Sequence, residues 1–174
     1  MSDLSASSVG HWLFYTQRCV AYAFSEVLRR HCEERGKPYI VTPAQWGLLA
    51  LLGEGDGLPI STLSQKRGID APTITGIVKR LEQSGLVERL HNRADRRVVK
   101  VYLTAEGRDI LQSLLTVVDG WNETMLHGFS QTERETLLEQ LQQIVVNISD
   151  IGPGTGDRFG LLPEHIIYPR IDNC

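Results

Sequence analysis

The sequence predicts a mainly α-helical chain with one small β-hairpin, and three observations lead to this fold class. Apolar residues recur at helical spacing along most of the 174 residues. Capping signals, glycines and prolines separate these stretches. Two short alternating stretches flank one charged segment, a pattern typical of a hairpin. A chain of 174 residues can bury one core and is too short for two ordinary domains.

Composition excludes several classes of protein. The chain is 41% hydrophobic, which is too apolar for low-complexity disorder. Its formal net charge of −3 excludes a basic nucleic-acid coat protein and a polybasic membrane binder. The N-terminus lacks the pattern of a signal peptide, and the longest uncharged run, Pro38–Gly53, is too short to span a membrane. We therefore expect a reduced, soluble, cytoplasmic protein with no membrane partner.

The cysteines and histidines predict no metal site and no cofactor. The three cysteines are scattered, no Cys-x-x-Cys pair occurs, and the five histidines are widely spaced. We find no nucleophile–base set and no cofactor fingerprint, so an enzyme is not expected.

Two helices open the chain. The first spans Val9–Arg35, with apolar residues at helical spacing, and ends at Gly36–Pro38. Its length is roughly 40 Å, and helices this long often pack against a partner subunit. Thr42–Gln45 is a capping box that begins the second helix, which ends near Gly53. The glycines that follow lack the strand and the closing Gly-Lys-Ser/Thr of a phosphate loop, so we expect a turn.

A pair of short helices comes next. Ser61 is expected to cap a helix over Thr62–Arg67, and Asp70 is expected to cap the second of the pair. That second helix carries a buried apolar stripe of Ile74, Ile77, Val78 and Leu81. Its exposed side presents Thr73, Thr75, Gly76, Lys79 and Arg80.

A hairpin and two further helices complete the pattern. The predicted strands are Leu86–Leu90 and Val99–Leu103, joined by a charged tip. Thr104 caps a long helix that reaches Met125, and a capping box at Ser130–Glu133 begins a last amphipathic helix. Glycines and a proline end that helix, and we expect the apolar tail of residues 151–174 to dock as extended chain.

Two short helices followed by a charged hairpin form a winged helix-turn-helix, whose second helix enters the DNA major groove. Charge supports this interpretation. Residues 61–103 hold nine Lys and Arg against four Asp and Glu, a charge of +5, which leaves −8 for the remaining residues. A basic centre in an acidic chain is typical of a phosphate-binding module.

The predicted DNA-binding residues lie on the two short helices and the hairpin tip. They are Ser61, Thr62, Thr73, Thr75, Gly76, Lys79, Arg80, Arg93, Asp95, Arg96 and Arg97. The threonines can form hydrogen bonds with phosphates or base edges, and Gly76 lets backbone or DNA approach the helix closely. The two helix cations, Lys79 and Arg80, are expected to reach phosphates. The tip arginines are placed to enter an adjacent minor groove.

One segment carries a family resemblance. Residues 95–107, DRRVVKVYLTAEG, match the wing signature D-x-R-x-x-x-V-x-L-T-x-x-G of the MarR (multiple antibiotic resistance) regulators. The order of elements from Trp12 to Ile148 also resembles that family. The resemblance implies a homodimer, a pseudo-palindromic operator on double-stranded DNA, and repression that is relieved by a small ligand or by oxidation. It also implies that Arg97 enters the minor groove and that Asp95 pairs with a wing arginine.

The resemblance further implies an effector pocket between the first helix, the second helix and the DNA-binding unit. The candidate residues are Trp12, Tyr15, Arg18, Cys19, Tyr22, Tyr39 and Trp46. Aromatic groups with one cation suit an aromatic carboxylate, although each residue taken singly is better explained by a dimer core or a solvated charge. Cys19 lies between two tyrosines on one helical face, and we interpret it as a buried structural thiol in preference to a peroxide sensor.

The predicted domain division follows these elements. Residues 1–8 form a flexible N-terminus, residues 9–150 the winged helix-turn-helix domain, and residues 151–174 an extended tail. Within the domain, residues 43–104 bind DNA, while residues 9–35 and 105–150 are dimerisation helices. Two alternatives remain: a redox-sensing regulator acting through Cys19, and a winged-helix module for protein interaction that does not bind DNA.

Overall fold

Six helices and three short strands make up the described part of the chain. The computed structural model describes residues 8–91 and 98–148. The elements are α1 (Val9–Glu34), α2 (Pro43–Glu54), β1 (Leu58–Pro59), α3 (Ile60–Arg67), α4 (Ala71–Gln83), β2 (Val87–His91), β3 (Val99–Leu103), α5 (Ala105–Met125) and α6 (Gln131–Ile148). The predicted fold class is confirmed. Residues 1–7 of the predicted N-terminal segment, the hairpin tip and the tail lie outside the described residues.

Local capping signals set where four of the helices begin, and at α6 the Ser130 hydroxyl oxygen accepts from the Glu133 backbone N–H at 3.3 Å. Thr42, Asp70 and Thr104 each accept, through a side-chain oxygen, a hydrogen bond from the backbone N–H three residues further on, at 3.3, 2.9 and 3.0 Å. These bonds satisfy N–H groups that have no partner inside the helix. The predicted starts of α2, α4, α5 and α6 are therefore confirmed.

The predicted cap at Ser61 is wrong. The first of the paired helices, α3, begins at Ile60, with Pro59 at the N-cap position and no side-chain cap. Pro59 also pairs in β1, so the chain passes directly from strand to helix. The fixed φ of proline suits this junction, and no capping side chain is needed to mark the start.

The sheet has three strands where the sequence predicts two. Its order is β1–β3–β2, and both pairings are antiparallel, with Leu58 opposite Val101 and Val87 opposite Leu103. The additional strand, β1, is two residues long. A strand this short has no detectable alternation, and only its pairing with β3, some forty residues away, defines it.

The core lies between α2, α4, the sheet and the first half of α5. The fully buried side chains include Leu48 of α2, Leu81 of α4, Val101 of β3 and Ile110 of α5. All four members of the predicted α4 stripe are buried, so one face of α4 is held in the core and the opposite face is free for contact.

The junction between β3 and α5 explains the Leu-Thr-x-x-Gly part of the sequence signature. The Thr104 hydroxyl donates to the Gly85 carbonyl at 2.6 Å, and the Thr104 N–H donates to the Leu86 carbonyl at 3.1 Å. A Cβ on Gly107 would lie 1.9 Å from that same Leu86 oxygen. The first turn of α5 therefore packs directly on the turn after α4, and only glycine fits there.

The first half of α1 and all of α6 bury little within the chain. Phe14 is 77% and Tyr22 72% exposed, and α6 has no buried residue. The expectation that Cys19 is buried is wrong for the single chain: Cys19 is exposed, whereas Cys32 is buried. The reason is that only the second half of α1 packs on the rest of the chain, so an apolar stripe in its first half has no internal partner.

Candidate nucleic-acid interface

The helix pair α3–α4 presents one exposed polar face. A turn with Gly68 in the left-handed conformation, at φ 57°, joins the two helices. On α4 the side chains of Thr73, Thr75, Lys79 and Arg80 are exposed, directly opposite the buried stripe. The structure therefore brings these four predicted residues together on one helix face.

The two threonines on this face already donate their hydroxyl protons within α4. The Thr73 hydroxyl donates to Asp70 at 2.8 Å, and the Thr75 hydroxyl donates to the Ala71 carbonyl at 2.7 Å. A hydroxyl has one proton and two lone pairs, so in this conformation both threonines are acceptors only. Such acceptors suit amino groups on base edges, and a phosphate contact requires the hydroxyl to rotate first.

Gly76 lies in the middle of α4 with free space above its Cα. A Cβ built there would meet nothing within 4 Å, and its φ is that of an ordinary helical residue. Packing within the chain therefore does not require glycine at this position. Glycine also lowers helix stability relative to alanine, which favours a role outside the folded chain itself.

The cations of the basic centre differ in availability. Lys79 and Arg80 are exposed and form no ion pair with any described residue. Arg89 pairs with Glu82 at 2.6 Å, and this bond raises the pKa of the arginine. The guanidinium of Arg67 lies against Gly47 of α2, close enough that a Cβ there would be 2.5 Å away. The centre therefore offers a ligand fewer free cations than its composition indicates.

The remaining predicted DNA-binding residues lie elsewhere. Ser61 is exposed and Thr62 half-buried in the first turn of α3. The four predicted residues of the hairpin tip, Arg93, Asp95, Arg96 and Arg97, lie outside the described residues.

The predicted effector residues divide into two groups. Tyr15, Arg18, Cys19 and Tyr22 line a shallow cavity of about 570 Å³ formed by α1 alone, and Trp12 is exposed one turn earlier. Tyr39 and Trp46 pack against the edge of the core, away from that cavity's lining. Within one chain the structure does not assemble the seven residues into a single pocket.

A second cleft lies between the end of α2 and the start of α5. Its volume is about 580 Å³, and its walls come from α2, the turn after it, β3 and α5. None of the predicted effector residues lines it. The glycine-rich segment that we interpreted as a simple turn forms one wall, and no local pattern in the sequence indicates that α5 closes the other side.

Comparisons with known proteins agree with this architecture. A model of the MarR family matches residues 41–99. An uncharacterized HTH-type transcriptional regulator of Bacillus subtilis, YsmB, is 32% identical over 62% of this chain and 73% of its own length. The regulator FarR of Neisseria gonorrhoeae is 33% identical over 63% of this chain and 75% of its own length.

This chain belongs to the MarR family. A solved structure of a probable transcriptional regulator from Pseudomonas aeruginosa superposes with a TM-score of 0.70 at 29% identity, covering 80% of this chain and 98% of the other. The relatives of this MarR-family chain are transcriptional regulators, so it is a transcriptional regulator and not an enzyme. MarR-family regulators bind DNA and are dimeric.

The described residues of this MarR-family chain contain neither a candidate membrane span nor a candidate metal site. No helix in residues 8–91 and 98–148 combines the length and the apolar character that a membrane span requires. The same residues contain no group of three His, Cys, Asp or Glu side chains arranged to hold a metal ion.

A polar seam joins the end of α1 to the start of α5, and sequence reasoning did not find it. Lys37 donates to Glu106 at 2.7 Å, the Tyr39 hydroxyl donates to the same carboxylate oxygen at 2.5 Å, and Arg35 pairs with Asp109 at 2.8 Å. The hydrogen bond from Lys37, together with that from Tyr39, holds the pKa of Glu106 below its usual value. The partners are too far apart in sequence for any local pattern to reveal them.

Proposed function

We propose that this MarR-family chain is a dimeric, sequence-specific DNA-binding repressor that a small, aromatic ligand releases from double-stranded DNA. The observation that carries the proposal is the exposed face of α4. Its threonines and unpaired cations lie opposite a stripe buried in the core, so the face is rigidly held. A recognition helix presented in this way fits the major groove.

Each part of the proposed interface has a distinct role. Thr73 and Thr75 accept hydrogen bonds from base edges, and Lys79 and Arg80 neutralise phosphates. Ser61 and Thr62 bond the backbone from the start of α3. For the segment that joins β2 to β3, the proposed roles are that Arg97 enters the minor groove, that Asp95 pairs with a wing arginine, and that Arg93 and Arg96 also contact the duplex. Phosphate contacts set the register of the protein on the duplex, and base contacts set its sequence preference.

The proposed homodimer forms through the helices outside the DNA-binding lobe. Exposed apolar side chains are concentrated on the first half of α1 and along α6, including Phe14, Tyr22, Leu138 and Val145. A second copy of the chain would cover this surface, as expected for the predicted dimerisation helices 9–35 and 105–150. The DNA-binding lobe, residues 43–104, then occurs twice and fits a pseudo-palindromic operator.

The names of one relative and one structural neighbour support regulation by a small molecule. A 29% identical protein of Escherichia coli is named the homoprotocatechuate degradative operon repressor. A structure of similar fold, with 24% identity and a TM-score of 0.66, concerns regulation of DNA binding of Bordetella bronchiseptica BpsR by 6-hydroxynicotinic acid. These names concern those proteins, and for this chain they favour an aromatic effector.

The test of DNA binding starts from genomic fragments that the full chain selects. Binding to the selected duplex is then titrated by fluorescence anisotropy at several salt concentrations. Lys79→Ala should weaken binding and reduce the salt slope by about one unit, since one phosphate contact is lost. Arg30→Ala is the matched control, because Arg30 is an exposed cation on α1, outside the lobe. Absence of any salt-dependent, sequence-selective binding would contradict the proposal and favour a protein-interaction module.

A redox switch at Cys19 is a second candidate, and one observation favours it: the thiol is exposed and lies in the α1 cavity between Tyr15 and Tyr22. Peroxide should then abolish duplex binding by the wild-type chain and leave binding by Cys19→Ser intact. Equal inhibition of the two proteins would exclude Cys19 as the sensor.

A further inference from the structure

The cleft between α2 and α5 has apolar walls and a charged rim. Leu52 and Leu111 are buried behind it, and Leu115 lines it while remaining 41% exposed to solvent. Its volume of about 580 Å³ is in the range that holds a small organic molecule. Ligand pockets typically combine such apolar walls with a few polar groups, so the cleft has the general composition of a binding site.

The rim of the cleft carries more negative than positive charge. Glu54, Asp56 and Arg108 are its charged lining residues, two carboxylates against one guanidinium. Asp56 and Arg108 pair with each other at 2.9 Å and offset one another. Glu54 is exposed at the end of α2 and pairs with no cation among residues 8–91 and 98–148. The unbalanced charge at the cleft is therefore that of one carboxylate.

We propose that this cleft binds a small lipophilic cation, whose apolar body lies against the leucines and whose charge lies between Glu54 and Asp56. A cation suits the site because it would neutralise Glu54, which pairs with no cation among the described residues. An anion would instead be repelled by the carboxylates of Glu54 and Asp56. The site is distinct from the predicted effector residues, none of which lines the cleft.

Binding in the cleft would alter the contacts that hold the end of β3, which we call the wing strand. One oxygen of Asp56 accepts hydrogen bonds from the backbone N–H groups of Leu103 and Gly57, at 2.9 and 3.0 Å, and the other pairs with Arg108. Arg108 also donates to the Leu103 carbonyl at 2.7 Å. A cation beside Asp56 competes with Arg108 for that carboxylate and loosens the end of β3. This consequence for DNA affinity rests on the proposed function; binding of the cation does not.

Two ions of the same size and shape and opposite charge provide the test. Tetraphenylphosphonium and tetraphenylborate are titrated separately into the full chain by equilibrium dialysis, without DNA. The wild-type chain should bind the phosphonium saturably and about tenfold more tightly than the borate, because the rim charge attracts one and repels the other. Glu54→Gln should weaken phosphonium binding by about fivefold, as expected for an exposed charge pair.

Glu139→Gln is the matched control, since Glu139 is an exposed carboxylate on α6, away from the cleft. It removes the same net charge and should leave both titrations unchanged. Equal binding of the two ions, no saturable binding, or the same loss in both variants would overturn the proposed site. A chain that binds no duplex would contradict the proposed function and leave these titrations fully interpretable.

A second measurement tests the link to the wing strand. Tetraphenylphosphonium should weaken binding of the wild-type chain to its selected duplex by several-fold and affect Glu54→Gln less at the same concentration. A phosphonium-saturated wild-type chain with unchanged duplex affinity would overturn the proposed competition between the cation and Arg108.

Discussion

The Cα of Gly107 faces the carbonyl oxygen of Leu86 so closely that a Cβ built on Gly107 would lie 1.9 Å from it. This contact fixes the start of α5 on the turn that follows α4. Because the obstacle is backbone and not a flexible side chain, a larger residue cannot be accommodated by a rotamer change.

Gly107→Ala should therefore destabilise the chain by about 1–3 kcal/mol, since the added methyl group forces the backbone apart. Urea denaturation followed by circular dichroism measures this change. Gly120→Ala, in the same helix, is the control, because a Cβ at Gly120 meets nothing within 4 Å. That variant should be as stable as the wild type or more stable by up to about 1 kcal/mol, and equal effects of both substitutions would contradict the contact.

Gly76→Leu should leave the fold intact and weaken duplex binding by at least about tenfold, because a leucine at this position fills the space through which we expect DNA to approach α4. Thermal unfolding and fluorescence anisotropy separate the two effects. Unchanged duplex affinity in a folded Gly76→Leu protein would show that this part of α4 does not approach the bases.

Acidification should weaken the polar seam through Glu106. A carboxylate whose pKa is lowered on folding contributes stability above its unfolded pKa, and this contribution is lost as the pH falls through the lower, folded value. The free energy of unfolding should thus decrease as the pH is lowered through the acidic range. Glu106→Gln should show a shallower fall, whereas Glu139→Gln should follow the wild type. Parallel curves for all three proteins would exclude the seam as the source.

Arg97→Ala should weaken duplex binding and lower the salt slope by about one unit, because we propose that this arginine enters the minor groove. Anisotropy titrations at several salt concentrations measure both quantities. Wild-type affinity and slope in a folded Arg97→Ala protein would remove Arg97 from the interface.

The parts of the fold that the sequence predicted correctly depend on local signals. Thr42, Asp70 and Thr104 cap helices through bonds that span three residues, and the apolar spacing from Ile74 to Leu81 identifies the buried face of α4. Each of these signals lies within one or two helical turns, so periodicity and residue type are sufficient to detect it.

The parts that the sequence did not predict depend on contacts between distant residues. Strand β1 is defined by its pairing with β3, and the Tyr39–Glu106 bond joins residues that lie in separate elements. The exposure of Cys19 was missed for a related reason. An apolar stripe indicates that a helix face packs against another surface, and it does not show whether that surface belongs to the same chain.

The absence of any buried residue in α6 has a consequence for how the chain reaches its final form. A helix of 18 residues that buries none of its side chains is only marginally stable in water, even with the Arg134–Glu123 ion pair that joins its first turn to α5. On the proposed dimer, this helix gains its packing from the second copy, so folding of the last segment and association are one equilibrium. A newly synthesised chain would complete its fold only on associating with a second chain. The concentration of functional dimer in a cell would then rise more steeply than the total concentration of the chain.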